Sequence, residues 1–211
     1  MPADLIHLVR HGEVYNPDRV LYGRIPGFGL SELGHRMAQA AADSLTGHPV
    51  TRLVASPLQR TIESAQPWAD DFGLEVHLDE RVIEPTNRFE GGRFKFPQTL
   101  LRPEVWPWIT NPTLPSWGEP FAEIAARMLA AIDDHWQQTE AGELVIVSHQ
   151  SPIWMVHRAL AGKRLFHDPR RRRCSLSSIT TLARNGDRFV EVDYREPAAG
   201  LLAGSVDAGA V

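Results

Sequence analysis

The chain has 211 residues, 43% of them hydrophobic and 23% charged, with 22 Lys+Arg against 26 Asp+Glu and a net charge of -4. That length predicts one domain, at most carrying an insertion, and a core that hides roughly 70% of the unfolded chain's surface without staples; the composition excludes a fibrous or wholly disordered chain, and the acidic balance excludes a global basic field for nucleic acid or membrane. A single cysteine, Cys174, excludes a disulfide framework or a Cys-rich zinc site, and no secretory leader pattern or run of roughly 18 apolar residues is present, so a soluble cytoplasmic protein is expected.

In chain order, Leu5-Ile6-His7-Leu8-Val9 is short, apolar and β-branched and breaks at Arg10-His11-Gly12, which predicts a buried strand ending in a loop. Residues 31–45 predict a helix opened by a capping serine, Ser31. Thr51 to Ala55 predicts a strand, Pro57 to Phe72 a helix closed by Gly73, and residues 74–78 a third strand. Residues 85–118 carry prolines at 85, 97, 103, 107, 112 and 115 together with Trp106, Trp108 and Trp117. No long regular element fits there, and the aromatics want burial, so this stretch reads as a lid insertion. Glu119 to Gln138 predicts a helix, Glu143 to Val147 a strand, and Pro152 to Ala161 another helix; residues 177–183 and 188–194 frame a hairpin at Asn185-Gly186. The domain therefore spans 1–195, and the Ala/Gly-rich tail over 196–211 is expected to fray. Strands alternating with helices predict a three-layer α/β/α fold with a mostly parallel central sheet, in which ligands sit at the carboxyl ends of strands.

Four clusters carry chemistry, three of them just past such strand ends. Arg10-His11-Gly12-Glu13 joins a guanidinium that forks onto phosphate oxygens to an imidazole able to act as a nucleophile, with a glycine for a tight turn. Ser56-Pro57-Leu58-Gln59-Arg60-Thr61 opens a helix whose N-terminus favours the same anion as Arg60. Val147-Ser148-His149-Gln150 brings a second imidazole. Glu84 follows the third strand and can give a proton to a leaving oxygen if burial raises its pKa.

These clusters, in this order, resemble the histidine phosphatase superfamily, the phosphoglycerate mutase-like family, over Leu5 to Tyr194. Leu30-Ser31-Glu32-Leu33-Gly34 resembles its L-T/S-x-x-G helix start, and Gly118-Glu119 followed by Arg127 its G-E…R stretch. The resemblance implies that His11 attacks phosphorus and becomes a transient phosphohistidine. It implies that Arg10, Arg60 and His149 hold the phosphoryl oxygens with help from Asn16, and that Glu84, with Glu80 as the alternative, serves as acid and then base. Gln150 stands where the family usually has glycine. Two arginines and a second imidazole supply the charge that magnesium supplies elsewhere, so neither metal nor cofactor is expected. The segment from Glu84 to His149 is shorter than the corresponding one in the cofactor-dependent mutases, which implies a phosphatase acting on a small phosphate ester, with a homodimer allowed. Arg88, Arg93, Lys95 and Arg102 in the lid point to a second anionic group on that ester.

Other chemistries fit less well. On a strand His7 and His11 stand about 13 Å apart, too far to share an ion. Cys174 lacks the arginine six residues on that a cysteine phosphatase loop needs, since Thr180 stands there. Gly162-Lys163 lacks the rest of a nucleotide loop. Arg170, Arg171, Arg172 and Arg173 form a cationic run able to bind an anionic substrate or nucleic acid, but it reads first as a solvated or acid-paired face.

Overall fold

A computed structural model of the chain describes residues 2–92, 106, 118–168 and 171–207. β1 (Leu5–Arg10) is buried along nearly its whole length, because both its faces are covered. On one side it pairs in parallel with β4 (Glu143–Ser148), which pairs in parallel with β2 (Val50–Ala55), which pairs in parallel with β3 (Val76–Leu78). On the other side it meets an antiparallel hairpin, β5 (Ile179–Asn185) and β6 (Arg188–Arg195), giving the order β3-β2-β4-β1-β5-β6. The hairpin turns at Gly186, whose φ of 59° suits glycine.

Strand alternation splits the core in two. Ile6, Leu8, Leu144 and Ile146 face α3 (Phe121–Gln138) and α4 (Gln150–Leu160). Val9, Leu53, Val145 and Val147 face α1 (Glu32–Asp43) and α2 (Gln59–Phe72). The expected three-layer α/β/α architecture with a mostly parallel sheet is therefore present. Ser31 caps α1 by accepting from the Gly34 N–H, and Gly73 closes α2 in the left-handed region.

Several boundaries differ from expectation. α2 begins at Gln59, two residues after Pro57, so Arg60 sits in its first turn. α3 begins at Phe121, after Pro120. α4 begins at Gln150, since His149 is extended and Pro152, third in the helix, needs no N–H partner there. The tail corrects the sequence reading most. Ala199–Gly204 forms a 3-10 helix, with Ala198, Leu201 and Leu202 packed on Met37 and Leu176. Apolar anchoring outweighs the flexible composition.

Of the insertion, residues 93–105 and 107–117 lie outside the described residues, and with them Arg93, Lys95, Arg102, Trp108 and Trp117. Its two ends meet in an antiparallel bridge between Asn87 and Gly118. Trp106 is 56% exposed, contrary to the expected burial. Among the described residues no helix is long and apolar enough to cross a membrane.

Candidate active site

The parallel register brings the polar clusters together. Arg10 lies beside Ser148, and Ala55 beside Val147, so the loops beginning at His11, His149 and Ser56 leave the sheet at one edge. Glu84 arrives by another route. It follows the 3-10 turn Glu80–Val82, and the Ser148 hydroxyl donates to the Val82 carbonyl at 2.7 Å, pinning that segment next to His149. Glu80, the alternative acid, is exposed on the turn, whereas Glu84 is buried.

Close packing fixes the first loop. A Cβ on Gly12 would lie 2.4 Å from the Gly34 carbonyl oxygen, and one on Gly34 would lie 2.0 Å from that of Glu13. The loop can therefore press on the start of α1 only with glycine on both sides. Ser64, one turn beyond Arg60 on α2, accepts from the Gly12 N–H at 3.0 Å. The Ser31 hydroxyl and the Val206 N–H both donate to the Glu13 carboxylate.

His11 is 3% exposed, and its Nδ1 lies 2.7 Å from the Gly12 carbonyl oxygen. A carbonyl only accepts, so Nδ1 carries the proton and Nε2 keeps its lone pair. Burial, then the charges of Arg60 and Arg10, hold the His11 pKa well below the ordinary 6.5, so the ring is neutral. His149 lies edge-on with ring centroids 5.2 Å apart, and the same forces hold it neutral. Its Nε2 meets Ser56 Oγ at 2.8 Å, while its Nδ1 has no hydrogen-bond partner and stands 3.6 Å from the Glu84 carboxylate. Burial raises the Glu84 pKa above 4.5 against the opposing pull of Arg60, Arg172, Arg10 and Arg127.

Two buried guanidiniums complete the pocket. Arg60 donates to the Gly23 carbonyl at 2.7 Å and lies 4.7 Å above the Tyr22 ring, whose hydroxyl burial pushes up to about 12. Arg10 donates to the Cys174 carbonyl and forks onto Asp207 at 2.8 and 2.6 Å. Burial alone would weaken its charge, but Asp207 reverses that and raises the pKa. Arg10 Nε, Arg60 Nε, His149 Nδ1 and Arg172 Nη1 are buried without hydrogen-bond partners. Buried polar nitrogens without a protein partner are costly, and the guanidinium N–H groups among these can donate to an anion bound at this sheet edge.

Thus His11, Glu84, Arg10, Arg60 and His149 converge. Asn16 is engaged locally: its Nδ2 donates to the Val20 carbonyl at 2.8 Å and its Oδ1 accepts from the Val20 N–H at 3.1 Å, closing its own loop. Gln150 donates to the Cys174 carbonyl at 3.3 Å, the same carbonyl that receives Arg10. Tyr22, Arg172 and Asp207 belong to the site without having been singled out for it. The arginine run was visible, but nothing local distinguished its third member.

The described residues hold one group with metal-ligand spacing, His7, His48 and Glu143, at the opposite end of β1. Both imidazoles approach one Glu143 oxygen at 2.9 Å, and Thr181 satisfies the other nitrogen of His7. Hydrogen bonds alone account for that cluster. The pairing of His7 with His48 rather than His11 has no local sequence signal.

The model of the histidine phosphatase superfamily (branch 1) matches residues 6–197. An uncharacterised protein of Mycobacterium tuberculosis is 49% identical over 201 residues, 94% of this chain and 100% of the relative. A probable phosphoglycerate mutase of Yersinia enterocolitica is 32% identical over 185 residues, covering 82% of this chain and 83% of its own. Among solved structures, a phosphoserine phosphatase of Entamoeba histolytica, as a mutant in complex with phosphoserine, superposes with a TM-score of 0.74 at 22% identity, covering 92% of this chain and 97% of its own.

Proposed function

The chain belongs to the histidine phosphatase superfamily, branch 1, and we propose that it hydrolyses a small phosphate monoester through a phosphohistidine at His11. The observation that carries this reading is the hydrogen bond from His11 Nδ1 to the Gly12 carbonyl, which leaves Nε2 of a neutral ring with a free lone pair in a pocket that also holds a buried carboxyl of raised pKa.

In the first step Nε2 attacks phosphorus, the P–N bond forms, and the bond to the ester oxygen breaks. The Glu84 proton passes to that leaving oxygen. In the second step water gives a proton to the Glu84 carboxylate as its oxygen attacks phosphorus, and the P–N bond breaks to release phosphate. Arg10, Arg60 and His149 hold the three equatorial oxygens throughout, and the charge of the two guanidiniums stabilises the transition state in place without reorganisation. Arg10 must first leave Asp207, so the tail carboxylate competes with the incoming phosphoryl group.

A mutase is the second reading, favoured by the Yersinia relative described as a probable phosphoglycerate mutase. The deciding assay follows aryl phosphate turnover with a chelator present, in wild type and His11→Ala, and maps acid-labile phosphate on quenched enzyme. Turnover lost in His11→Ala, with phosphate on His11, is expected. Phosphate binding without turnover describes a binding protein instead, and isomerisation of phosphoglycerate faster than its hydrolysis describes a mutase.

A further inference from the structure

Hydrogen bonds assemble His7, His48 and Glu143 without help, and that makes the cluster a preformed set of ligands. His7 stands on β1, Glu143 opens β4 beside it, and His48 lies in the turn between α1 and β2. Close backbone contact brings that turn in. The Glu143 N–H donates to the Pro49 carbonyl at 2.8 Å, and a Cβ on Gly142 would lie 2.3 Å from the same oxygen, so glycine is what lets the two segments approach. His7 and Glu143 are buried, whereas 35% of the His48 side chain reaches solvent.

One ligand atom of each residue lies within 4.8 Å of the other two. His7 Nε2 and His48 Nδ1 each stand 2.9 Å from the same Glu143 oxygen. A tetrahedral ion with bonds of about 2.0–2.1 Å holds neighbouring ligands about 3.4 Å apart, so an opening of roughly half an ångström admits it. The protons in the way can move without a change of charge. A neutral His7 ring that gives up the Nε2 proton carries one at Nδ1, where Thr181 Oγ1 stands at 3.0 Å to accept it; His48 carries its own at Nε2. A ligating imidazole whose second nitrogen is held by a neighbouring oxygen is oriented for its metal.

Two imidazoles and one carboxylate suit zinc, whereas magnesium and calcium prefer larger shells of oxygen. We propose that His7, His48 and Glu143 bind one zinc ion, with a water from the open His48 side as fourth ligand, and that the ion ties β1, β4 and the turn before β2 together. It takes no part in phosphoryl transfer, because His11 stands about 13 Å farther along β1. The proposal is therefore independent of the hydrolase reading.

The test is calorimetric titration of zinc chloride into the full chain, stripped with a chelator and dialysed free of it. Wild type is expected to bind one ion per chain with a Kd below about 10 μM. His48→Gln removes the partly exposed ligand, which the sheet does not need in order to fold, and should weaken binding at least tenfold. His35→Gln, an exposed control, and His11→Ala, which breaks up the imidazole pair of the catalytic pocket, should leave it in place. Cobalt(II) gives a second readout: the intense visible bands of tetrahedral coordination, present in wild type and His11→Ala and absent from His48→Gln. Zinc should also raise the Tm of wild type and leave that of His48→Gln unmoved. A weaker Kd, equal binding of magnesium, or binding that survives in His48→Gln overturns the proposal. So does binding lost in His11→Ala, which would put the ion in the catalytic pocket.

Discussion

Replacing Glu84 with glutamine removes the proposed proton donor while keeping its shape. At ordinary values of 4.5 for the carboxyl and 6.5 for the imidazole, a protonated glutamate and a neutral histidine coexist in only about one molecule in a hundred, even midway between them. The pocket moves both groups the useful way: burial raises Glu84 and, with Arg60 and Arg10, depresses His11. Activity should therefore hold from slightly acid pH upward, where His11 is neutral, and fall as pH rises through the raised Glu84 pKa. For glycerol 3-phosphate, whose alkoxide leaves poorly, Glu84→Gln is expected to cost roughly 10²–10⁴-fold in kcat, about 3–5 kcal/mol of barrier. Nitrophenyl phosphate needs less help and should lose far less, and the alkaline limb of the pH profile should flatten for both. Steady-state rates between pH 4 and 9 measure this. A loss under threefold on the alkyl ester, or equal losses on both esters with the limb unchanged, refutes the assignment. Glu80→Gln, on the exposed turn, should leave the profile in place.

Three further outcomes are expected. Asp207→Asn frees the Arg10 fork from its internal carboxylate, and inorganic phosphate should bind about fivefold tighter by calorimetry, corresponding to ~1 kcal/mol for a half-exposed pair; unchanged or weaker binding would mean that the tail orients Arg10 instead. Gly34→Ala drives a methyl to 2.0 Å from the Glu13 carbonyl and should cost about 2 kcal/mol, lowering Tm by roughly 4–8 °C with reduced turnover, because the His11 loop must shift. Asp79 is largely buried between Arg81 and His135; burial opposes its ionisation, but those hydrogen bonds win and hold its pKa at about 2, below the ordinary 3.8. Its folded pKa is depressed, so its stabilisation is present above the ordinary value and fades as pH falls through the folded one. Asp79→Asn should cost about 2 kcal/mol in urea unfolding at pH 7 and much less at pH 2.

What the sequence made legible was whatever chemistry is local. A strand running into Arg10-His11-Gly12, or Val147-Ser148-His149, announces itself because an apolar run must end where polar atoms meet the sheet edge, and parallel topology then carries such ends to one place. The glycine of that loop was readable as a tight turn, but its partner, Gly34, was visible only as a match to a helix start. The contact that requires both exists only once α1 folds back on β1. Asn16 shows what the sequence leaves open: a polar side chain near a phosphate loop has a near claimant in its own backbone, here Val20, and both ends of its amide are engaged there.

The tail and Arg172 mark the limit of such reading. Ala/Gly-rich composition measures the entropy of leaving a segment loose, but not the reward waiting for one carboxylate and three apolar side chains. Ala198, Leu201 and Leu202 find a groove on Met37 and Leu176, and Asp207 then reaches a buried guanidinium whose charge burial has made costly to leave alone. Arg172 is the converse. Its neighbours in sequence suggest a solvated cationic face, and only a histidine five residues back, fixed by two aromatic rings, turns that one arginine inward. In both cases the deciding term is the cost of a buried charge without a counterion, which depends on where distant segments meet. In the proposed reaction the same cost favours the phosphoryl group, which can meet the guanidinium N–H groups that have no protein partner.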